Sequence, residues 1–172
     1  MQRLLASVGS AIFLVLAPGT VAVLVPWSMC RWQMAAPLLG IPALRWLGLL
    51  PIAAGLPVLL DSFARFALQG LGTPAPVAPP RRLVVTGFYR HVRNPMYVAV
   101  VALILGQGLL FGSVRVLEYG LVVWAAFHIF VWLYEEPALR DTFGDEYREL
   151  CDNVRRWIPR LRPWSGHRKV AP

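Results

Sequence analysis

Charge is sparse across four long apolar runs of this chain, residues 4–25, 43–60, 96–112 and 117–134. At about 1.5 Å of rise per residue, helices of this length approach or match a hydrocarbon core about 30 Å thick. A bilayer leaves no water to satisfy open backbone groups, so such runs are driven toward helices. Only 15% of the residues are charged, 57% are hydrophobic, and the mean hydropathy is +0.55. The expected fold class is therefore all-α: an integral membrane helical bundle of about four transmembrane helices plus a C-terminal amphipathic cytosolic segment. Seven Trp and fifteen Pro suit interfacial anchors and broken helices.

The first run opens after Arg3 like a signal peptide, but it continues through Val25, so a retained helix is expected. Pro18-Gly19 predicts a kink within it, and Pro51, Gly55 and Pro57 predict an irregular second span ending near Asp61 and Arg65. Residues 69–80 are rich in Gly and Pro and read as an extended arm. Gly106 and Gly108 in the third span allow close helix contact. Beyond Pro137, Leu139, Phe143, Tyr147, Leu150, Cys151 and Val154 recur at helical spacing, interrupted at Gly144. They predict an amphipathic segment on the membrane surface. One membrane domain results: an N-terminal helical hairpin (1–68), a core (69–164) and a tail (165–172).

Loop charges set an orientation. Of seventeen Lys and Arg, only Arg31, Arg45 and Arg115 fall on one side. The excess on the other side places both termini in the cytoplasm, in a bacterial inner membrane. The formal charge of +8 thus reflects membrane flanks, and no nucleic-acid motif accompanies it. Cys30 and Cys151 fit no metal spacing, so no metal site and no disulfide are expected.

Polar groups crowd into residues 86–97, Thr-Gly-Phe-Tyr-Arg-His-Val-Arg-Asn-Pro-Met-Tyr. Asn94-Pro95 opens an apolar run, with Asn suited to the N-cap and Pro to the first helical turn. Spans three and four form a hairpin that returns Glu135-Glu136 to the membrane face where Asn94 began. The two clusters are expected to share one site. Adjacent glutamates at a helix C-terminus want a cation, which Arg90, Arg93 or a cationic ligand can supply. His128 is ionisable inside a span and lies seven residues before Glu135, on the same face of a regular helix. Each residue also has a plainer reading: interfacial helix ends, positive anchors, an aromatic belt, or a histidine bonded to a neighbouring helix.

Residues 87–97, the Glu135-Glu136 pair, Phe143-Gly-Asp-Glu-Tyr147 and the late Trp157-Ile-Pro159 resemble the isoprenylcysteine carboxyl methyltransferase and phospholipid methyltransferase families. The resemblance implies S-adenosylmethionine as cofactor, bound on the cytosolic side under the C-terminal segment. By position it implies that Arg81, Arg82, Leu83, Val84 and Tyr89 border the cofactor. Asn94, Pro95, Met96 and Tyr97 match the cofactor contacts of the motif, and Glu135, with Glu136 beside it, matches the glutamate that binds the cofactor's amino acid portion. Two positions depart from the pattern: Asn94 stands where the families usually have His, and Val131 stands where the prenylcysteine enzymes have a substrate-binding Arg.

These features together predict methyl transfer to a lipid-like or amphiphilic acceptor, with His128 and Arg93 as catalytic candidates and Val131 and Trp132 on the acceptor side. A membrane reductase of the sterol-reductase type, using Arg81-Arg82 for an NADPH phosphate, is the alternative enzyme. A membrane scaffold that lost the chemistry is the alternative outside catalysis.

Overall fold

The computed structural model describes residues 16–69 and 83–166. Most of the first apolar run, the Gly/Pro arm, Arg81, Arg82 and the last six residues lie outside the described residues. Among the described residues the fold is helical, without strands. Helix α1 is Leu16–Cys30. Short α2 (Pro42–Leu47) leads into α3 (Leu49–Gln69). A 3-10 turn, Gly87–Arg90, precedes α4 (Pro95–Phe111). Helix α5 (Val114–Phe130) passes through a π turn, Val131–Glu135, directly into α6 (Glu136–Asn153).

Two helices are long and apolar enough to cross a membrane, Pro42–Arg65 and the continuous Val114–Asn153. Helices α1 and α4 are apolar but shorter. The second span ends at Arg65 as expected, although the helix itself continues to Gln69, and Asp61 and Arg65 bond as an i,i+4 pair on it. The helix of the fourth apolar run does not stop at Glu135-Glu136 but continues into the charged α6. Pro137 lies inside this continuous helix, where it has no N–H for the carbonyl of Leu133, and the π turn Val131–Glu135 lies directly before it. Gly144 interrupts α6 as expected, with φ 51° and ψ −120°.

The main core joins α1, α3, α4 and α5 through Ala22, Leu59, Phe63, Ala99, Ile104, Val116 and Val123. Gly48 and Gly106 face each other so closely that a Cβ on either would strike the other's backbone carbonyl. A second cluster, Tyr147, Leu150 and Val154, packs with Leu83, Val85 and Trp164. It fixes the C-terminal segment against the chain that leads into the motif.

Helix α1 is bound to the bundle by an unusual device. Pro26 has no N–H for the carbonyl of Ala22. The π turn Thr20–Leu24 sends the Val25 N–H to Thr20, which also leaves the carbonyl of Val21 without its helical partner. Gln107 Nε2 donates to Ala22 at 2.7 Å and Tyr119 Oη to Val21 at 3.0 Å. Trp32 Nε1 in turn donates to Gln107 Oε1 at 3.1 Å. A polar residue inside apolar α4 thus closes a gap made by a proline on α1.

Candidate functional site

The motif is held by the chain beyond α6. Arg93 N–H donates to Arg155 O at 3.0 Å, Arg160 N–H to His91 O at 2.9 Å, and Trp164 N–H to Arg90 O at 2.9 Å. Side chains reinforce this strap. Arg90 Nε donates to Trp164 O at 2.5 Å, and His91 Nδ1 to Arg160 O at 2.8 Å. Asn94 stands at the N-cap position of α4, but its side chain makes no cap. Instead Asn94 Nδ2 donates to Arg156 O at 3.3 Å. Pro95 opens the helix as the sequence predicts.

The two polar clusters do meet, and the glutamates take different partners. Glu136 is 2% exposed. Arg156 grips it with Nε at 2.6 Å and Nη2 at 2.9 Å, Arg93 Nη2 lies 3.2 Å away, and Arg140 Nη2 adds a contact at 3.4 Å. A buried carboxylate needs such partners, because an unpaired charge there is costly. The bond to Glu136 in turn raises the pKa of Arg156, so this guanidinium stays charged. Arg93 also donates to Cys151 Sγ. The expected cation is therefore Arg93, while Arg90 is spent on the strap.

Glu135 accepts one hydrogen bond, from Tyr97 Oη at 2.9 Å to Oε2. The Tyr97 ring rests on Phe127, with centroids 4.6 Å apart. Tyr89 is buried, and its hydroxyl has no hydrogen-bond partner among the described residues. Burial raises its pKa far above the ordinary value, with the nearby negative charges of Glu135 and then Asp61 adding to it. So Tyr89, Tyr97 and Glu135 share one neighbourhood. The Gly87–Arg90 turn also seats Arg65. Gly87 has φ +54°, and Arg65 lies where a Cβ would be.

His128 is separated from this group by the π turn. One extra residue in a turn rotates the downstream helix by about 100° relative to the upstream one. The seven-residue spacing therefore does not stack His128 under Glu135. His128 sits between Trp124 and Trp157, at ring centroid distances of 5.6 and 5.9 Å. Trp157 Nε1 donates to His128 Nδ1 at 3.0 Å. Indole can only donate, so the neutral imidazole carries its proton on Nε2 and presents a donor there.

The remaining sequence-predicted residues divide between the two cores and the surface. Val84 is buried, and Leu83 packs against the second cluster. Met96 packs against the main core. Val131 is 1% exposed, and Trp132 is exposed. The sequence assigned Arg156 no role, and Trp157 appeared there only as part of the late Trp157-Ile-Pro159 motif, which names no partner for either.

The family model for phospholipid methyltransferases matches residues 44–146. The chain belongs to the phospholipid methyltransferase family. The match begins in α2 and ends after Gly144, so it takes in the motif, the helical hairpin and both glutamates. Comparison with individually curated proteins finds no match. Family membership together with two bilayer-length apolar helices makes this a membrane protein.

The residues present fit a cationic cofactor of the kind such methyltransferases use. Glu135 has a second oxygen beyond the one bonded to Tyr97. Tyr97 and Phe127 offer aromatic faces to a cation. The Tyr89 hydroxyl is buried with no partner, and it can donate or accept.

Proposed function

We propose that this protein is an S-adenosylmethionine-dependent methyltransferase acting on a lipid-like or amphiphilic acceptor at the cytoplasmic face of the membrane. The observation that carries the reading is the division of labour between adjacent glutamates. Glu136 is neutralised by arginines, whereas among the described residues Glu135 is bonded through one oxygen only, near a Tyr89 hydroxyl that has no partner among them. A neutralised pair would need no cationic ligand, but this half-used carboxylate suits an ammonium group.

In this reading Glu135, Tyr97 and Tyr89 hold the cofactor, with Leu83, Val84, Asn94, Pro95 and Met96 as its border. When bound, the cofactor supplies an activated methyl group. The protein's task is to align the acceptor with it and exclude water. Arg93 positions Glu136 and the strap. His128 orients the acceptor by donating from Nε2, because Trp157 occupies Nδ1. Trp132 is open to an acceptor arriving sideways from the bilayer, with Val131 packed behind it. Val131 brings no cation for a carboxylate acceptor, so a neutral or weakly basic acceptor fits better.

Calorimetric titration of the purified protein with S-adenosylmethionine and NADPH tests the reading. Binding of S-adenosylmethionine that Glu135→Gln weakens is the expected result. Binding of NADPH alone would favour the reductase, and binding of neither would favour a scaffold. The cytoplasmic site also requires four spans with both termini inside. Reporter fusions at Ala75 and at the C-terminus are expected to read cytoplasmic.

A further inference from the structure

The strap has an outer face that the site does not use. Leu161 is 99% exposed and Ile158 60% exposed. Arg155 and Arg162 are exposed beside them, and residues 154–166 contain no Asp or Glu. Yet this segment is firmly held. Arg160 is tied by its N–H to His91 O and by Nη1 to Asn153 O at 2.7 Å, and Trp164 is tied to Arg90 O. Leu161 therefore stands out at a bend anchored on both sides.

We propose that this face docks on an anionic bilayer surface, with Ile158 and Leu161 entering the headgroup layer and Arg155 and Arg162 facing lipid phosphates. Several observations converge on that occupant. The chain is a membrane protein, and backbone hydrogen bonds tie the strap to residues 90–93, just before the apolar helix α4. The exposed charges are all basic, complementary to acidic lipid. Nucleic acid would also attract the arginines, but it would leave Ile158 and Leu161 in water. A bilayer rewards both sets of residues. Because these bonds already hold the strap, little ordering is required on docking.

Docking has a consequence for the site. The inner side of the strap carries Arg156 to Glu136 and Trp157 to His128. Holding the outer side on the membrane keeps both contacts closed. Acidic lipid would thus favour the closed site without touching the reacting groups.

Hydrogen exchange on the full chain in nanodiscs tests this. One set contains phosphatidylcholine alone, and the other adds phosphatidylglycerol. Amides of residues 155–162 are expected to exchange more slowly with the acidic lipid. Arg162→Gln should remove about fivefold of that protection, the scale for one basic residue at a charged surface. Leu161→Asp should lose protection in both compositions. Equal exchange in both lipids for the unsubstituted chain would overturn the proposal, whatever the variants do. So would protection by an oligonucleotide in detergent that matches the lipid effect. The measurement needs neither cofactor nor acceptor, so its failure would leave the methyltransferase reading standing, and the converse also holds.

Discussion

Tyr97 Oη donates to Glu135 Oε2 at 2.9 Å, joining the first turn of α4 to the π turn that ends α5. The bond orients the carboxylate while leaving its second oxygen open. Glu135→Gln should weaken S-adenosylmethionine binding by about 1–3 kcal/mol, the scale for a charged hydrogen-bond partner. Tyr97→Phe should cost about 0.5–1.5 kcal/mol. The double variant should cost less than the sum, because each change disables the same arrangement. Calorimetry on the four proteins measures the coupling, and strict additivity would place the two residues in separate sites.

Tyr89 makes the opposite kind of prediction. Its buried hydroxyl is unpartnered, so Tyr89→Phe should stabilise the ligand-free protein, by up to about 1 kcal/mol, while weakening cofactor binding. The raised pKa adds a pH signature. The native phenol keeps its proton where the unfolded one loses it. Its contribution to stability is therefore complete below the unfolded pKa of about 10 and declines above it. Thermal unfolding between about pH 8 and 11 should show a shallower alkaline loss in Tyr89→Phe than in the parent.

Glu136 is the structural counterpart of Glu135. Glu136→Gln leaves Arg93, 11% exposed at its side chain, and Arg156 without their carboxylate. A loss of about 3 kcal/mol in stability is expected, the scale for breaking a buried pair. Limited proteolysis should then cut between α6 and Trp164 faster than in the parent, because the strap loses its strongest tie. Unchanged cleavage would show that the backbone bonds to residues 90–93 suffice.

Much of this arrangement was legible in the residues. Pro95 announces the start of α4, and Arg93 beside Glu136 follows from placing both clusters on one membrane face. Gly106 signals a close approach, although it does not name Gly48. The π turns were not legible, since one added residue changes no local propensity and shows only as a shifted partner. That shift is why spacing alone stacked His128 with Glu135. Asn94 misled differently. An asparagine before proline suits a cap, but the strap offers Arg156 O, and tertiary contact prevailed over local preference. Gln107 did carry a signal, a polar side chain inside an apolar helix, but the carbonyls it serves belong to another helix.

His128 yields a spectroscopic test. With Trp157 donating to Nδ1, nitrogen NMR of the neutral imidazole should show the proton on Nε2. Trp157→Phe removes the donor and should give a mixture of tautomers. If methyl transfer depends on donation from Nε2, the same variant should lower kcat more than it raises KM for the acceptor. A single Nδ1–H form in the parent would contradict the Trp157 bond.

The last prediction concerns how α1 stays on the bundle. Gln107→Leu is close to the original in size, but it leaves the Ala22 carbonyl without its donor inside an apolar core. The expected cost is about 1–3 kcal/mol, the desolvation penalty of an unsatisfied buried acceptor. That cost exists only because Pro26 lacks an N–H. Pro26→Ala restores a backbone donor four residues after Ala22, which is the helical partner of that carbonyl. In the Pro26→Ala background, then, Gln107→Leu should be nearly silent. Tyr119→Phe should likewise become milder, since a regular turn would return the Val25 N–H to Val21. Thermal unfolding of the single and double variants in detergent measures both couplings. If Gln107→Leu costs the same with either residue at position 26, the glutamine stabilises the protein through Trp32 rather than through α1.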